Sequence, residues 1–208
     1  FDAILIDPLR TTTAYSGNLY SQEFFALAKK HLKPDDIVLD FACATGLYAL
    51  EIADYVKKID GFDISAKMIS VARKNANSQN IENVDFVQTD IHDNRYEARS
   101  YDVILAFNIF HLVEDIELNL QRIAELLKPG GLLISSTPCL AERKTFISFL
   151  SSHSIYLLSR IGLLPSMKFY TIQELIELIK DGKFQMAEFE VLSKSPATEC
   201  YIVAWKKH

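Results

Sequence analysis

Three carboxylates stand at the ends of apolar runs in the first half of the chain: Asp40 in Ile37-Val38-Leu39-Asp40-Phe41, Asp63 in Gly61-Phe62-Asp63-Ile64-Ser65, and Asp90 in Thr89-Asp90-Ile91. Each is a pair of acceptor oxygens when ionised. Ala42-Cys43-Ala44-Thr45-Gly46 follows Asp40, with small residues at alternate positions. That composition suits a tight turn over which backbone approaches a ligand closely. A helix beginning after Gly46 would aim its free N–H groups at the same place, where a ligand carboxylate is stabilised. Asp63, 23 residues after Asp40, suits both hydroxyls of a ribose, while Asp90 beside Ile91 suits the exocyclic amine and flat face of an adenine. A further apolar run ends Ala106-Phe107-Asn108, and His111 follows it. That histidine could be a general base, or could simply pack and hydrogen-bond locally.

Positioning these groups takes alternating strands and helices. Residues 21–32 carry a helical stripe of Phe24, Phe25, Leu27, Ala28 and Leu32, ended by Lys33-Pro34-Asp35-Asp36. Residues 37–41, 58–62, 84–88, 101–107 and 132–137 are short apolar runs of the kind buried in parallel sheets. One helix runs from near Gly46 to about Tyr55, and another from a Ser65 cap to about Asn77. Ile116, Leu120, Ile123 and Leu127 recur at helical spacing until Lys128-Pro129-Gly130-Gly131 stops the helix. Thr171-Ile172-Gln173-Glu174 has the capping-box pattern and opens a helix to about Lys180. Two last strands, about 186–193 and 199–206, flank a turn containing Pro196 that is too short for a crossover, so they pair antiparallel. Five β-then-α units and a terminal hairpin predict an α/β fold: a doubly wound, mostly parallel seven-stranded sheet with helices on both faces. Ligands bind such sheets outside the carboxyl ends of the strands.

In this order the segments resemble a known family. VLDFACATG resembles the first motif of class I (Rossmann-like) S-adenosylmethionine-dependent methyltransferases, where an acid precedes three alternating glycines. GFDIS resembles their ribose-binding acid motif and FVQTDI their adenine-binding motif; YDVILAFNIFHLVED and LLKPGGLLIS resemble the strand-four and strand-five motifs. Order and spacing agree across residues 20–137, and the final hairpin fits the family's reversed seventh strand. The resemblance implies S-adenosyl-L-methionine as cofactor. It implies that Asp40 and the backbone of Ala42, Cys43, Ala44 and Gly46 hold the methionine moiety. Asp63 would bind the ribose hydroxyls, with Ile64 and Met68 near the adenine, and Asp90 the adenine amine, with Ile91 packed close by. Phe107 and Asn108 would line the junction of cofactor and acceptor. An N-terminal aromatic, Tyr15 in preference to Tyr20, would close over the cofactor. The chain departs from the pattern at Ala42 and Ala44, where glycine is usual. Alanine tolerates positive φ poorly, so both are expected at negative φ. A positive value would mean strain and would count against cofactor binding.

The 208 residues suit a single domain, 1–208, and 49% are hydrophobic, enough for a sizeable core. A net charge of −5 speaks against a nucleic-acid partner. So does Asn108-Ile109-Phe110-His111, which lacks the Asn/Asp-Pro-Pro-aromatic run of nucleic-acid methyltransferases. A small-molecule acceptor is therefore expected. Cys43, Cys139 and Cys200 have no metal-like spacing. No metal is expected, and a reducing cytoplasm is the simplest setting. The opening FDAILIDP does not read as a signal peptide, and no apolar stretch is long enough to span a membrane. Residues 138–170 form an insertion rich in apolar side chains, among them Phe146, Phe149, Tyr156 and Leu158. It is either a lid shaping an apolar acceptor pocket, or an extension of the core or a homodimer contact. Two other functions compete: a catalytically degenerate module of the same fold that binds cofactor or a partner, and a nicotinamide-dependent dehydrogenase. The glycine spacing disfavours the dehydrogenase.

Overall fold

Four parallel strands grow outward from β1 (Ile37–Phe41), whose side chains are buried on both faces because helices cover both. The computed structural model describes residues 22–142, 167–193 and 198–207. In it β1 pairs with β2 (Lys58–Asp63) and β4 (Tyr101–Phe107); β3 (Val84–Gln88) lies beyond β2, and β5 (Leu127–Cys139) beyond β4. β6 (Phe184–Ser193) and β7 (Thr198–Lys206) run antiparallel to each other, and β7 inserts beside β5. The order is β3-β2-β1-β4-β5-β7-β6. It is the mostly parallel, seven-stranded sheet that the sequence predicts. Its direction of winding switches between β1 and β4, where a crevice opens at the carboxyl ends.

One face carries α1 (Gln22–Lys29), α2 (Leu47–Ile52) with its 3-10 continuation Ala53–Tyr55, and α3 (Ala66–Ser78), packed around Phe25, Tyr48, Ile69, Phe107 and Tyr201. The other carries α4 (Ile116–Leu126) and α5 (Ile172–Asp181), packed on Leu39, Phe62, Leu120, Ile123, Leu175 and Ile179. Helices α3, α4 and α5 start at side-chain caps. Ser65 Oγ accepts from the Met68 N–H at 3.3 Å, Asp115 Oδ1 from Leu118 at 2.9 Å, and Thr171 and Glu174 close a full capping box.

Two elements differ from the sequence reading. Leu127 is not the last turn of α4 but the first residue of β5, paired with Tyr101. Lys128 precedes Pro129, whose ring disfavours helical backbone before it, so the chain is extended as soon as α4 ends. Leu127 is fully buried all the same, which is why it fits the stripe. Second, residues 89–100 cross from β3 to β4 by turns rather than by a helix, so the expected five β-then-α units do not all form. Ile91 and Tyr96 cover the sheet there instead, and Arg122 of α4 donates to their carbonyls at 3.2 and 2.8 Å. The Pro196 turn lies outside the described residues.

Candidate active site

The loop after β1 is a run of tight bends. Ala42, Ala44 and Gly46 have φ of 58°, 47° and 78°. The expectation of negative φ at Ala42 and Ala44 is therefore overturned. The left-handed backbone puts the Cys43 N–H on the Phe62 carbonyl at 2.8 Å and the Ala44 N–H on Asp63 Oδ2 at 3.1 Å. No negative-φ path is adopted because β1 must end beside β2 and α2 must begin at Leu47, with only five residues between it and Phe41. Alanine is the smallest residue other than glycine, and it takes the glycine conformation at ~1–2 kcal/mol per residue. Strain is thus present, but the bend keeps the left-handed shape that glycine usually supplies and its bonds to Phe62 and Asp63, so the positive φ leaves the loop formed rather than counting against a ligand there.

Asp63 fastens this bend to the start of α3. Its second oxygen accepts from the Ser65 N–H at 2.8 Å. Asp63 is thus an Asx-type turn residue, and each oxygen retains a second lone-pair site. Asp40, at the end of the β1 run, is not an open carboxylate. It lies under the loop, 1% exposed. One oxygen takes a bond from the Ala49 N–H, and Oδ2 is buried with no hydrogen-bond partner among the described residues. Burial, and secondarily the negative charge of Asp63, push its carboxyl up to about 7. Gly46 caps α2 where a Cβ would stand 2.6 Å from Phe86 Cζ.

The remaining predicted residues divide between surface and core. Ile64 is 77% exposed beside Asp63, an uncovered apolar side chain at the crevice. Met68 is half-buried on the first turn of α3. Asp90 is exposed and its Oδ1 accepts from the His92 N–H at 2.8 Å. Ile91 is buried in the core with its side chain among Phe62 and Tyr96, away from any open wall. Cys43 is buried filler, its thiol pushed up by burial. Phe107 is buried against Tyr48, ring centroids 4.7 Å apart. Asn108 leaves β4 at φ 55° and its N–H donates to the Ser136 carbonyl at 2.8 Å. Tyr15 and Tyr20 lie outside the described residues.

His111 is buried, Nδ1 has no partner among the described residues, and burial pushes its pKa down to about 4. Its carbonyl accepts from the Lys168 N–H at 2.8 Å, while the Ala141 N–H donates to the Tyr170 carbonyl at 3.1 Å. The two ends of the insertion thus meet beside the His111 loop, at the carboxyl edge of β4 and β5. Residues 143–166 themselves lie outside the described residues. Among the described residues no group of three or more His, Cys, Asp and Glu could hold a metal, and no helix is long and apolar enough to cross a membrane. The sequence reading missed Asn75, whose amide donates to the Thr45 carbonyl at 3.1 Å and holds the loop from α3. No sequence signal marks it, since it reads as an ordinary helix residue.

A family described as a methyltransferase domain matches residues 32–198. A ubiquinone biosynthesis O-methyltransferase of Coxiella burnetii is 30% identical over 133 residues, 64% of this chain and 51% of that protein. The chain therefore spans about half the length of that relative. A ubiquinone/menaquinone biosynthesis C-methyltransferase of Wigglesworthia glossinidia brevipalpis is 29% identical over 171 residues, 78% of this chain and 66% of the relative. The solved structure of the YcgJ protein from Bacillus subtilis superposes with a TM-score of 0.74 at 16% identity, covering 90% of this chain and 100% of that one. The last of these speaks to the fold alone.

Proposed function

We propose, because this chain belongs to the methyltransferase domain family and has the class I fold of its S-adenosylmethionine-dependent members, that it transfers the methyl group of that cofactor to a small, largely apolar molecule. The observation that carries this reading is the left-handed loop over β1 tied to Asp63, with the unpartnered Oδ2 of buried Asp40 beneath it. The residues present fit the cofactor. Asp40 and the backbone of Ala42, Cys43, Ala44 and Gly46 would hold the methionine end; Asp63 the ribose hydroxyls through its spare lone pairs; Ile64 and Met68 the adenine face; Asp90 its amine. Phe107 and Asn108 would back the junction with the acceptor, and Tyr15 would close the site.

The cofactor supplies a methyl carbon on a cationic sulfur, which becomes a neutral thioether when the acceptor takes the methyl. What the chain adds is orientation, by holding the acceptor in line with the bond that breaks. Burial that pushes His111 down to about 4 leaves it unprotonated at neutral pH but a weak base, which favours a neutral hydrogen-bonding role over that of general base. The insertion leaves and returns beside it, which supports an apolar lid over the acceptor. Three cysteines with no disulfide-framework spacing support a reducing cytoplasm.

The test is calorimetric titration of S-adenosylmethionine and S-adenosylhomocysteine onto wild type and Asp63→Ala, with unfolding curves to confirm that both are folded. Saturable binding that weakens by at least ~10-fold in the variant is expected, the loss of ~1.4 kcal/mol or more from a charged hydrogen-bond acceptor. Folded wild type that binds neither ligand overturns the reading.

A further inference from the structure

A second buried carboxyl lies across the crevice, and nothing in the cofactor reading uses it. Glu199, near the start of β7, is 7% exposed and has no ion-pair partner among the described residues. Its Oε1 accepts from Ser136 Oγ at 2.5 Å. Carboxylates are rarely buried without a cation, because burial disfavours the charge.

Its position follows from the register. β7 runs against β5, so the start of β7 lies at the carboxyl edge of the parallel strands. Pro138 faces Glu199, and Ser136 faces Tyr201. Ser136 in turn faces Phe107 on β4, and its carbonyl takes the Asn108 N–H. Along this edge the order is β1 with the Asp40 loop, then β4 with Asn108, then β5 and β7 with Ser136 and Glu199. With strands ~4.8 Å apart, the Ser136 backbone is ~10 Å from β1 and one strand from Asn108. The loops of β1 and β2 would be taken by the cofactor, which leaves the β5–β7 side for the acceptor.

We infer that Glu199, oriented by Ser136, binds the acceptor through a hydroxyl group and takes its proton as the methyl is transferred. This rests on the methyltransferase reading above. In the step the acceptor oxygen bonds to the methyl carbon as the carbon–sulfur bond breaks. The hydroxyl proton passes to the Glu199 carboxylate and then to solvent. The substrate class is therefore a small molecule with a phenolic or enolic O–H.

Burial pushes the Glu199 carboxyl up to about 7, with the Ser136 hydroxyl pulling it back, so it can both accept and release a proton near neutrality. The titratable groups on the elements around it are Tyr201 on β7, Tyr48 on α2, Glu190 on the β6 edge, Cys139 on β5 and Glu142 just beyond it. The Cys200 contact, and then burial, raise the Cys139 thiol, and burial raises the Tyr201 phenol, so both move further from neutrality.

The test uses phenol as probe, titrated by calorimetry onto protein saturated with S-adenosylhomocysteine at pH 6, 7 and 8. Phenol itself ionises only near ~10. Wild type should bind phenol about 10-fold more tightly at pH 8 than at pH 6, following the ionised fraction of a group titrating near 7. Glu199→Gln keeps the side-chain shape and the contact with Ser136, and it should bind S-adenosylhomocysteine as wild type does while its phenol affinity becomes flat with pH. Ser136→Ala should keep the pH dependence but move it to higher pH, since a donor to the carboxylate is lost. The inference is overturned if protein loaded with S-adenosylhomocysteine does not bind phenol, or if Glu199→Gln keeps the wild-type pH profile; either result leaves the methyltransferase reading standing. Failure of S-adenosylhomocysteine to bind folded wild type removes both.

Discussion

Replacing Ala44 by glycine should stabilise this protein, although alanine-to-glycine changes ordinarily destabilise. Ala44 sits at φ 47°, where an L side chain costs ~1–2 kcal/mol and glycine nothing. Against that, glycine gives the unfolded chain extra freedom worth ~0.4–1 kcal/mol. The half-exposed methyl of Ala44 belongs to neither core cluster. The net is a gain of ~0.5–1 kcal/mol, or a rise in melting temperature of ~1–4 °C for a chain of this size. Ala42 is the internal control. Its φ is 58°, but its methyl packs against the core around Phe41 and Phe62. Losing that contact costs up to ~0.8 kcal/mol, so Ala42→Gly should be close to neutral. The assay is urea unfolding of both variants, read as a shift in midpoint at constant slope. If Ala44→Gly instead loses ~0.5–1 kcal/mol, the ordinary penalty, the left-handed backbone at Ala44 is refuted, and the argument that alanine takes the glycine conformation fails with it.

Two further outcomes follow from the same site. Gly46→Ala adds a Cβ at φ 78° and 2.6 Å from Phe86 Cζ, and should cost ~2–4 kcal/mol in the same unfolding assay; a loss under ~1 kcal/mol would show that Phe86 is free to move. Asp40 has its folded pKa raised from 3.8 to about 7, so its favourable contribution is complete below 3.8 and is lost as pH rises through 7. Asp40→Asn should therefore gain on wild type between pH 4 and pH 8, by at most ~4 kcal/mol; a difference constant with pH would refute the burial of an ionisable group there.

Much of the strand and helix pattern was legible because each signal is local. Apolar runs ended by small or acidic residues mark β1, β2 and β4, and the caps at Ser65 and Thr171 are visible in adjacent residues. Asp63 was legible for the same reason, standing at the end of one such run. Asn75, by contrast, acts on Thr45 across 30 positions, and no local pattern announces that contact. The same holds for Arg122, which replaces a missing helix by bonding to the carbonyls of Ile91 and Tyr96.

By itself the sequence determined the layered α/β class, the antiparallel finish and the acidic residues at the strand ends, because hydrophobic period and chain reversal depend on near neighbours. Three matters were decided only by the tertiary structure. Asp40 became a buried, partly unpartnered carboxyl because α2 and the loop fold over it. Ala42 and Ala44 took left-handed backbone against their intrinsic preference, because β1, β2 and α2 fix both ends of the bend and a strain of ~1–2 kcal/mol each is small beside the packing that imposes it. Glu199 met Ser136 across 63 residues because β7 reverses into the gap beside β5. Burial, strain and charge environment are properties of what surrounds a residue in space, and those surroundings exist only once the sheet has closed.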